Sequence, residues 1–221
     1  MESEVMDWES AYRQEGAFTG PPPWNIGEPQ PELAALIDSA RGEVLDAGCG
    51  YAELALAAAA AGHPVVGIDL APTAVAAAAE EAARRGLTDA TFVAADITSF
   101  TGYDGRFGTI FDSTLFHSLP IEGRDGYLRS IHRAAAPGAR YYVLVFAEGA
   151  FPPDFETGPH AVSAEELRAA VSRHFAVDDI RPAWIHVNPV EGMPLPPGDL
   201  PRDETGRPKL PAFLLTAHKS D

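Results

Sequence analysis

The chain has 221 residues and one cysteine, Cys49. A single thiol excludes a disulfide framework within the chain and any multi-thiolate zinc or iron–sulfur centre. Basic residues are also scarce, with 16 Lys and Arg against 32 Asp and Glu, for a net charge of −16. Nucleic-acid phosphates and anionic lipid headgroups are captured by clustered Lys and Arg, so neither partner is expected. No apolar run approaches the roughly 20 residues that cross a bilayer. Glu2, Glu4, Asp7 and Glu9 stand where a signal peptide places a basic and then an apolar region, which points to a cytoplasmic protein. The histidines show no His-x-x-x-His or Glu-x-x-His spacing, so no metal site is expected. Gly-Lys-Ser/Thr is absent, which excludes a nucleoside-triphosphate loop.

What is present is one domain's length of chain and a regular alternation of elements. Residues 1–30 are polar with scattered aromatics (Trp8, Tyr12, Phe18, Trp24) and end in a proline run, Pro21-Pro22-Pro23. Disordered tails are poor in aromatics, so this segment is expected to fold back on the body as a lid. Residues 31–40 open with Pro and read as a short helix. From Glu43 onward, apolar runs at 44–47, 64–69, 90–95, 107–111 and 140–146 predict strands. Helical patterns at 52–61, 72–85 and 123–135 separate them, apart from the stretch between the third and fourth strands. Such alternation implies an α/β fold with a parallel sheet covered on both faces. Ser163-Ala164-Glu165-Glu166 has the form of a capping box and starts a helix. A late strand pair follows at 177–187 and 212–218. Between these strands lies a Pro-rich loop, 189–209, of a length usually reserved for function or disorder.

The sharpest feature is Asp46-Ala47-Gly48-Cys49-Gly50 after the first strand. Taken alone, it is a tight turn that needs glycine. Three acids change its meaning: Asp69, Asp96 and Asp112 close the next three strands. Together they line the carboxyl edge of a parallel sheet, where ligands bind. Asp69 lies about 20 residues past the turn, the place of a ribose-binding acid. Glu53 at the sixth position of the turn is a poor neighbour for a pyrophosphate, which argues against a dinucleotide. Asp46 suits a ligand carrying an ammonium.

These residues resemble the motifs of class I S-adenosylmethionine-dependent methyltransferases. Val44 to Gly50 is similar to the first motif, with Ala52 at its usual third glycine. Gly67-Ile68-Asp69 and Ala94-Ala95-Asp96 are similar to the second and third motifs, and Ala135-Ala136-Pro137-Gly138 to the turn before the fifth strand. The resemblance implies a three-layer Rossmann-like fold over 31–221, with a seven-stranded, mostly parallel sheet and a final antiparallel strand. It also implies S-adenosylmethionine as cofactor and S-adenosylhomocysteine as product. Gly48, Gly50 and Asp46 are then expected at the methionine part, with Asp112 and Ser113. Asp69 is expected at the ribose, and Leu70, Asp96 and Ile97 at the adenine, with Trp24 closing over the cofactor. Pro22 to Pro31 and Asp112-Ser113-Thr114-Leu115-Phe116-His117 resemble thiopurine-type and actinobacterial small-molecule methyltransferases that detoxify heterocycles, with Thr114 in place of a glycine.

Methyl transfer from a sulfonium is a displacement for which the protein supplies position and surroundings. The expected acceptor is a small aromatic or heterocyclic molecule, such as a hydroxyquinolone, phenol or thiopurine, methylated at N, O or S. His117 is the candidate base for an acceptor that must lose a proton. Trp24, Phe116, His117, Phe151 and Phe155 are the candidate acceptor contacts. Cys49 is expected to be a small packed side chain. A non-catalytic cofactor-binding protein on the same fold is the alternative.

Overall fold

Alternating apolar side chains on short strands bury both faces of one sheet. The structure, a computed structural model of the chain, describes residues 6–15, 20–152, 155, 159–190, 193, 195–196 and 198–220. Phe18 and part of the 189–209 loop lie outside the described residues. In chain order come α1 (Trp8–Tyr12), α2 (Pro31–Ala34), β1 (Glu43–Ala47), α3 (Glu53–Ala60), β2 (Val65–Asp69), α4 (Pro72–Arg84) and β3 (Ala90–Ala94). They are followed by β4 (Phe107–Ser113), α5 (Ile121–Ala134), β5 (Ala135–Phe146), α6 (Ala164–Val171), β6 (Ala176–His186) and β7 (Lys209–His218).

The strand order is β3-β2-β1-β4-β5-β7-β6. The first five strands run parallel, and β7 is antiparallel to both of its neighbours. This is the expected mostly parallel sheet with a final antiparallel strand. Side chains alternate across it. In β5, Tyr141, Val143 and Val145 pack with Ile110, Tyr127 and Leu167 on one face. Tyr142, Leu144 and Phe146 pack with Leu54, Phe111 and Leu214 on the other. Pro182 lies within β6, the edge strand, where a missing N–H need not break a ladder.

Several boundaries differ from the sequence reading, among them the end of β4 at Ser113 and the start of β7 at Lys209. The expected helix over 31–40 divides into α2 and a 3-10 turn at Ile37–Ser39, with Leu36 at φ −102° between them. Strand β5 starts at Ala135 instead of Arg140. Its pairing jumps from Phe107–Ala135 to Thr109–Arg140, so Pro137 and Gly138, the latter at φ 68°, bulge out of the ladder.

The proline-rich ends of the chain meet each other. The Gln30 side chain donates to His186 O at 2.9 Å and accepts from His186 N at 2.9 Å. Asn188 N donates to Pro23 O at 2.8 Å. Arg207 binds Ile26 O, Glu28 and Asp203. Further back, α1 is pinned to α4: Thr73 N and Oγ1 donate to the Glu9 carboxylate at 3.0 and 2.6 Å. A carboxylate there satisfies an otherwise orphaned N–H of the first helical turn.

Candidate active site

The turn after β1 takes three left-handed residues in five: Gly48 at φ 67°, Gly50 at 53° and Ala52 at 62°. A Cβ on Gly48 would stand 2.7 Å from Leu115 Cδ1, and one on Gly50 would collide with the Tyr12 hydroxyl. Glycine is therefore required twice, by conformation and by space. Ala52 adopts the same left-handed geometry as the first residue before α3, at a strain of about 1 kcal/mol.

Three acids stand round this turn. Asp69, buried at the end of β2, accepts from Gly50 N at 2.8 Å and Ala71 N at 2.9 Å. It thereby ties the glycine turn to the start of α4, and burial raises its pKa. Asp46 is 2% exposed and, among the described residues, takes one hydrogen bond, from Ala55 N at 3.1 Å. Burial, with Asp69 and Asp112 nearby, raises its pKa to about 7. Asp96 is exposed. Against the desolvation that raises it, bonds from Thr98 and Ser99 hold its carboxyl below the ordinary value.

All three acids line one cavity of about 220 Å³. One water needs roughly 10–15 Å³ on the same measure, so the space is that of a ligand. Gly48, Gly50, Leu70, Ile97 and Ser113 line it as well. Leu70 is 59% exposed, an apolar side chain left open beside a row of acids. Cys49 also lines the cavity, with its Sγ against Gly67. Burial and the nearby Asp46 and Asp69 push its pKa well up, so it is protonated and a weak nucleophile at neutral pH.

The cavity continues towards β4 and β5, where Leu115, His117, Leu119 and Phe146 replace the acids, and Trp24, packed on Trp8, lines it as well. His117 lies in the 3-10 turn Phe116–Ser118 and is 1% exposed. Its Nδ1 accepts from Phe146 N at 3.1 Å. Burial first, and the Arg124 charge second, lower its pKa to about 3.

Four expected site residues are not brought into the cavity. Asp112 lies inside β4, fully buried. Its Oδ1 accepts from Leu115 N and Phe116 N at 2.8 and 3.2 Å, and its Oδ2 from the Tyr127 and Tyr141 hydroxyls at 2.8 and 3.4 Å. It braces the turn that carries Ser113 to His117. Phe116 points the other way from His117, into the core, with the Arg124 guanidinium 4.8 Å above its ring. Phe151 stacks edge-on behind Phe146 at 4.8 Å, and Phe155 behind Phe151 at 5.4 Å.

Tyr12, Phe146 and His160 line the cavity without having been singled out as contacts. Phe146 is the last residue of the fifth strand, a position that parallel-sheet logic could have marked. Tyr12 has no such signal, because only the docking of α1 places it over Gly50.

Thr114 is left-handed, at φ 71°, on the cavity wall. A β-branched residue there is strained. Thr114→Gly is expected to stabilise the protein by about 1 kcal/mol, raising the melting temperature by roughly 2–4 °C. Differential scanning calorimetry reads this directly, and an unchanged or lower midpoint contradicts it.

Sequence comparisons with known proteins point to methyltransferases, and the structural ones share the fold. A family model described as a methyltransferase domain matches residues 44–138. The 2-heptyl-1-hydroxyquinolin-4(1H)-one methyltransferase of Mycobacteroides abscessus is 52% identical over 219 residues, covering 96% of each chain. A solved structure titled for the conversion of a disulfide bond into a thioacetal group during echinomycin biosynthesis superposes with a TM-score of 0.81. It is 30% identical and covers 100% of this chain and 93% of its own. The 1,6-didemethyltoxoflavin N1-methyltransferase of Burkholderia thailandensis shares the fold, with a TM-score of 0.63 at 23% identity over 86% of this chain and 78% of its own.

Proposed function

The chain belongs to the S-adenosylmethionine-dependent methyltransferases, and on that premise we propose that it methylates a small, flat heteroaromatic acceptor at a deprotonated O, N or S. The observation that carries this reading is the two-part cavity, with acids and glycines at β1, β2 and β3 and apolar and aromatic side chains at β4 and β5. The first part fits the cofactor. Asp46 is a buried carboxyl with one hydrogen bond from the described residues, the setting in which a cation stabilises the ionised form. In this reading Asp46 faces the ammonium, and Gly48, Gly50 and Ser113 flank the methionine part. Asp69 accepts from the ribose hydroxyls, while Leu70, Asp96 and Ile97 hold the adenine. Bound there, the cofactor supplies a methyl group activated as a sulfonium.

The second part fits the acceptor. Trp24, Leu115, Leu119 and Phe146 provide the apolar walls of a site for a flat ring. The mycobacterial relative's name specifies a hydroxyquinolone acceptor, which is the first compound class to test. Residues 6–15 and 20–30 serve as a lid, held to the body through Glu9–Thr73 and Gln30–His186. A closed lid excludes water from the transfer. Among the described residues, no helix is long and apolar enough to cross a membrane, in keeping with a small diffusible acceptor.

Mass spectrometry of products from hydroxyquinolones, phenols and thiopurines tests the reading. Methylation of at least one class is expected, and cofactor binding without turnover on any of them overturns it.

The Asp46 assignment also has a pH signature. A cation beside a carboxyl of pKa about 7 favours its ionised form, so cofactor binding expels a proton below that pH. Affinity is expected to rise about eightfold from pH 6 to pH 7.5. Titration calorimetry in buffers of different ionisation enthalpy reads both the affinity and the proton. A pH-independent affinity removes Asp46 from the ammonium site.

A further inference from the structure

His117 has one ring nitrogen already committed. The Phe146 backbone N–H can only donate, so Nδ1, at 3.1 Å, must be its unprotonated acceptor. A neutral imidazole in that setting carries its proton on Nε2. No described residue takes up this second N–H, and His117 lines the cavity beside Phe146. To act as a base through Nε2, the ring would have to move its proton to Nδ1. Two N–H groups would then face each other across a buried contact.

The surroundings hold the ring neutral. Arg124 of α5 is the nearby cation, paired with Glu166 of α6 at 2.8 Å. Asp112 is closed off by its tyrosines and backbone donors. His160 N donates to the His117 carbonyl at 3.0 Å. No carboxylate bonds to the imidazole itself among the described residues.

We propose that His117 is a hydrogen-bond donor and not a base: its Nε2–H holds an oxygen that carries the acceptor's delocalised negative charge. The enzyme therefore selects acceptors that reach it already ionised, such as N-hydroxy heterocycles and acidic phenols. This rests on the heteroaromatic acceptor reading above. In the transfer, a bond forms between the acceptor anion's nucleophilic atom and the methyl carbon. The bond from that carbon to sulfur breaks, and its electron pair goes to sulfur. The acceptor's proton was lost to solvent before binding, and His117 keeps its own proton throughout.

Three readouts test this. Nitrogen-15 NMR of the wild-type protein is expected to show His117 as the neutral Nε2–H form from about pH 5 to pH 9, far above a pKa of about 3. Either an Nδ1–H form or a midpoint near neutrality overturns the proposal. Across a series of phenols and hydroxyquinolones of different acidity, the rising limb of kcat/KM for the acceptor against pH, measured at saturating cofactor, should track each acceptor's own pKa. One acceptor-independent midpoint would assign a base to the enzyme and overturn the donor role. Methylation of none of them overturns the acceptor reading, and this proposal with it. Finally, His117→Gln keeps an N–H donor but cannot serve as a base. It is expected to retain kcat/KM within about tenfold, whereas His117→Leu loses about a hundredfold. Equal, near-complete loss in both folded variants contradicts the donor role.

Discussion

Asp69→Ala lowers the affinity for S-adenosylmethionine about ten- to a hundredfold, measured by titration calorimetry. The size follows from removing charge-assisted hydrogen bonds, worth about 1.5–3 kcal/mol. Asp69 has two roles in this estimate. Each of its oxygens already takes one backbone N–H, from Gly50 and from Ala71, and each has a lone pair left for a ribose hydroxyl. The alanine variant therefore loses the ligand contact and loosens the glycine turn that the ligand lies against. Asp69→Asn separates the two effects. It keeps one acceptor oxygen for the turn but presents an amide where the second acceptor stood. Its affinity should fall by a smaller factor, with the melting temperature closer to wild type. A dissociation constant unchanged in the alanine variant removes Asp69 from the cofactor site.

The cofactor half of the cavity was legible in the sequence because it is built from local rules. A strand ending in Asp46-Ala47 and followed by Gly48 and Gly50 has little choice about its turn, and acids at the ends of parallel strands converge on one edge. Asp69, Asp96, Leu70 and Ile97 all line the cavity for that reason. The acceptor half was less legible because it depends on which way single side chains point. Phe116 and His117 are neighbours in sequence, yet the 3-10 turn sends the first into the core and the second into the cavity. Phe151 and Phe155 stack behind Phe146, so only the last strand residue reaches the lining. Tyr12 is a product of long-range docking, through the contact of Glu9 with the first turn of α4. Asp112 misled for a different reason. Strand β4 runs on to Ser113, which turns Asp112 from a strand-end acid into a buried one.

Removing that buried acid should have the largest effect on folding. Asp112→Ala orphans two backbone N–H groups and leaves the two tyrosine hydroxyls only each other, at 3.4 Å. Each buried unsatisfied donor costs about 1–3 kcal/mol. Relaxation of the turn recovers part of this, so a loss of about 3–5 kcal/mol is expected in urea unfolding. Asp112→Asn should cost far less, since its carbonyl still accepts from Leu115 and Phe116 and its amide can donate to a tyrosine oxygen. The two variants also differ from wild type in pH dependence. Burial raises the pKa of folded Asp112 to about 7, above the ordinary carboxyl value of 3.8. Between those pH values the unfolded chain is ionised while the folded one still holds its proton, on an Oδ2 that then donates to a tyrosine oxygen instead of accepting from it. The contribution of Asp112 to stability is thus full below about pH 4 and is lost as pH rises to about 7. Asn carries no such proton, so Asp112→Asn should gain on wild type steadily across that window. A constant difference between the two from pH 4 to pH 7 would mean that Asp112 is ionised in the folded protein. The turn bearing His117 would then be held by a carboxylate and not by a carboxylic acid.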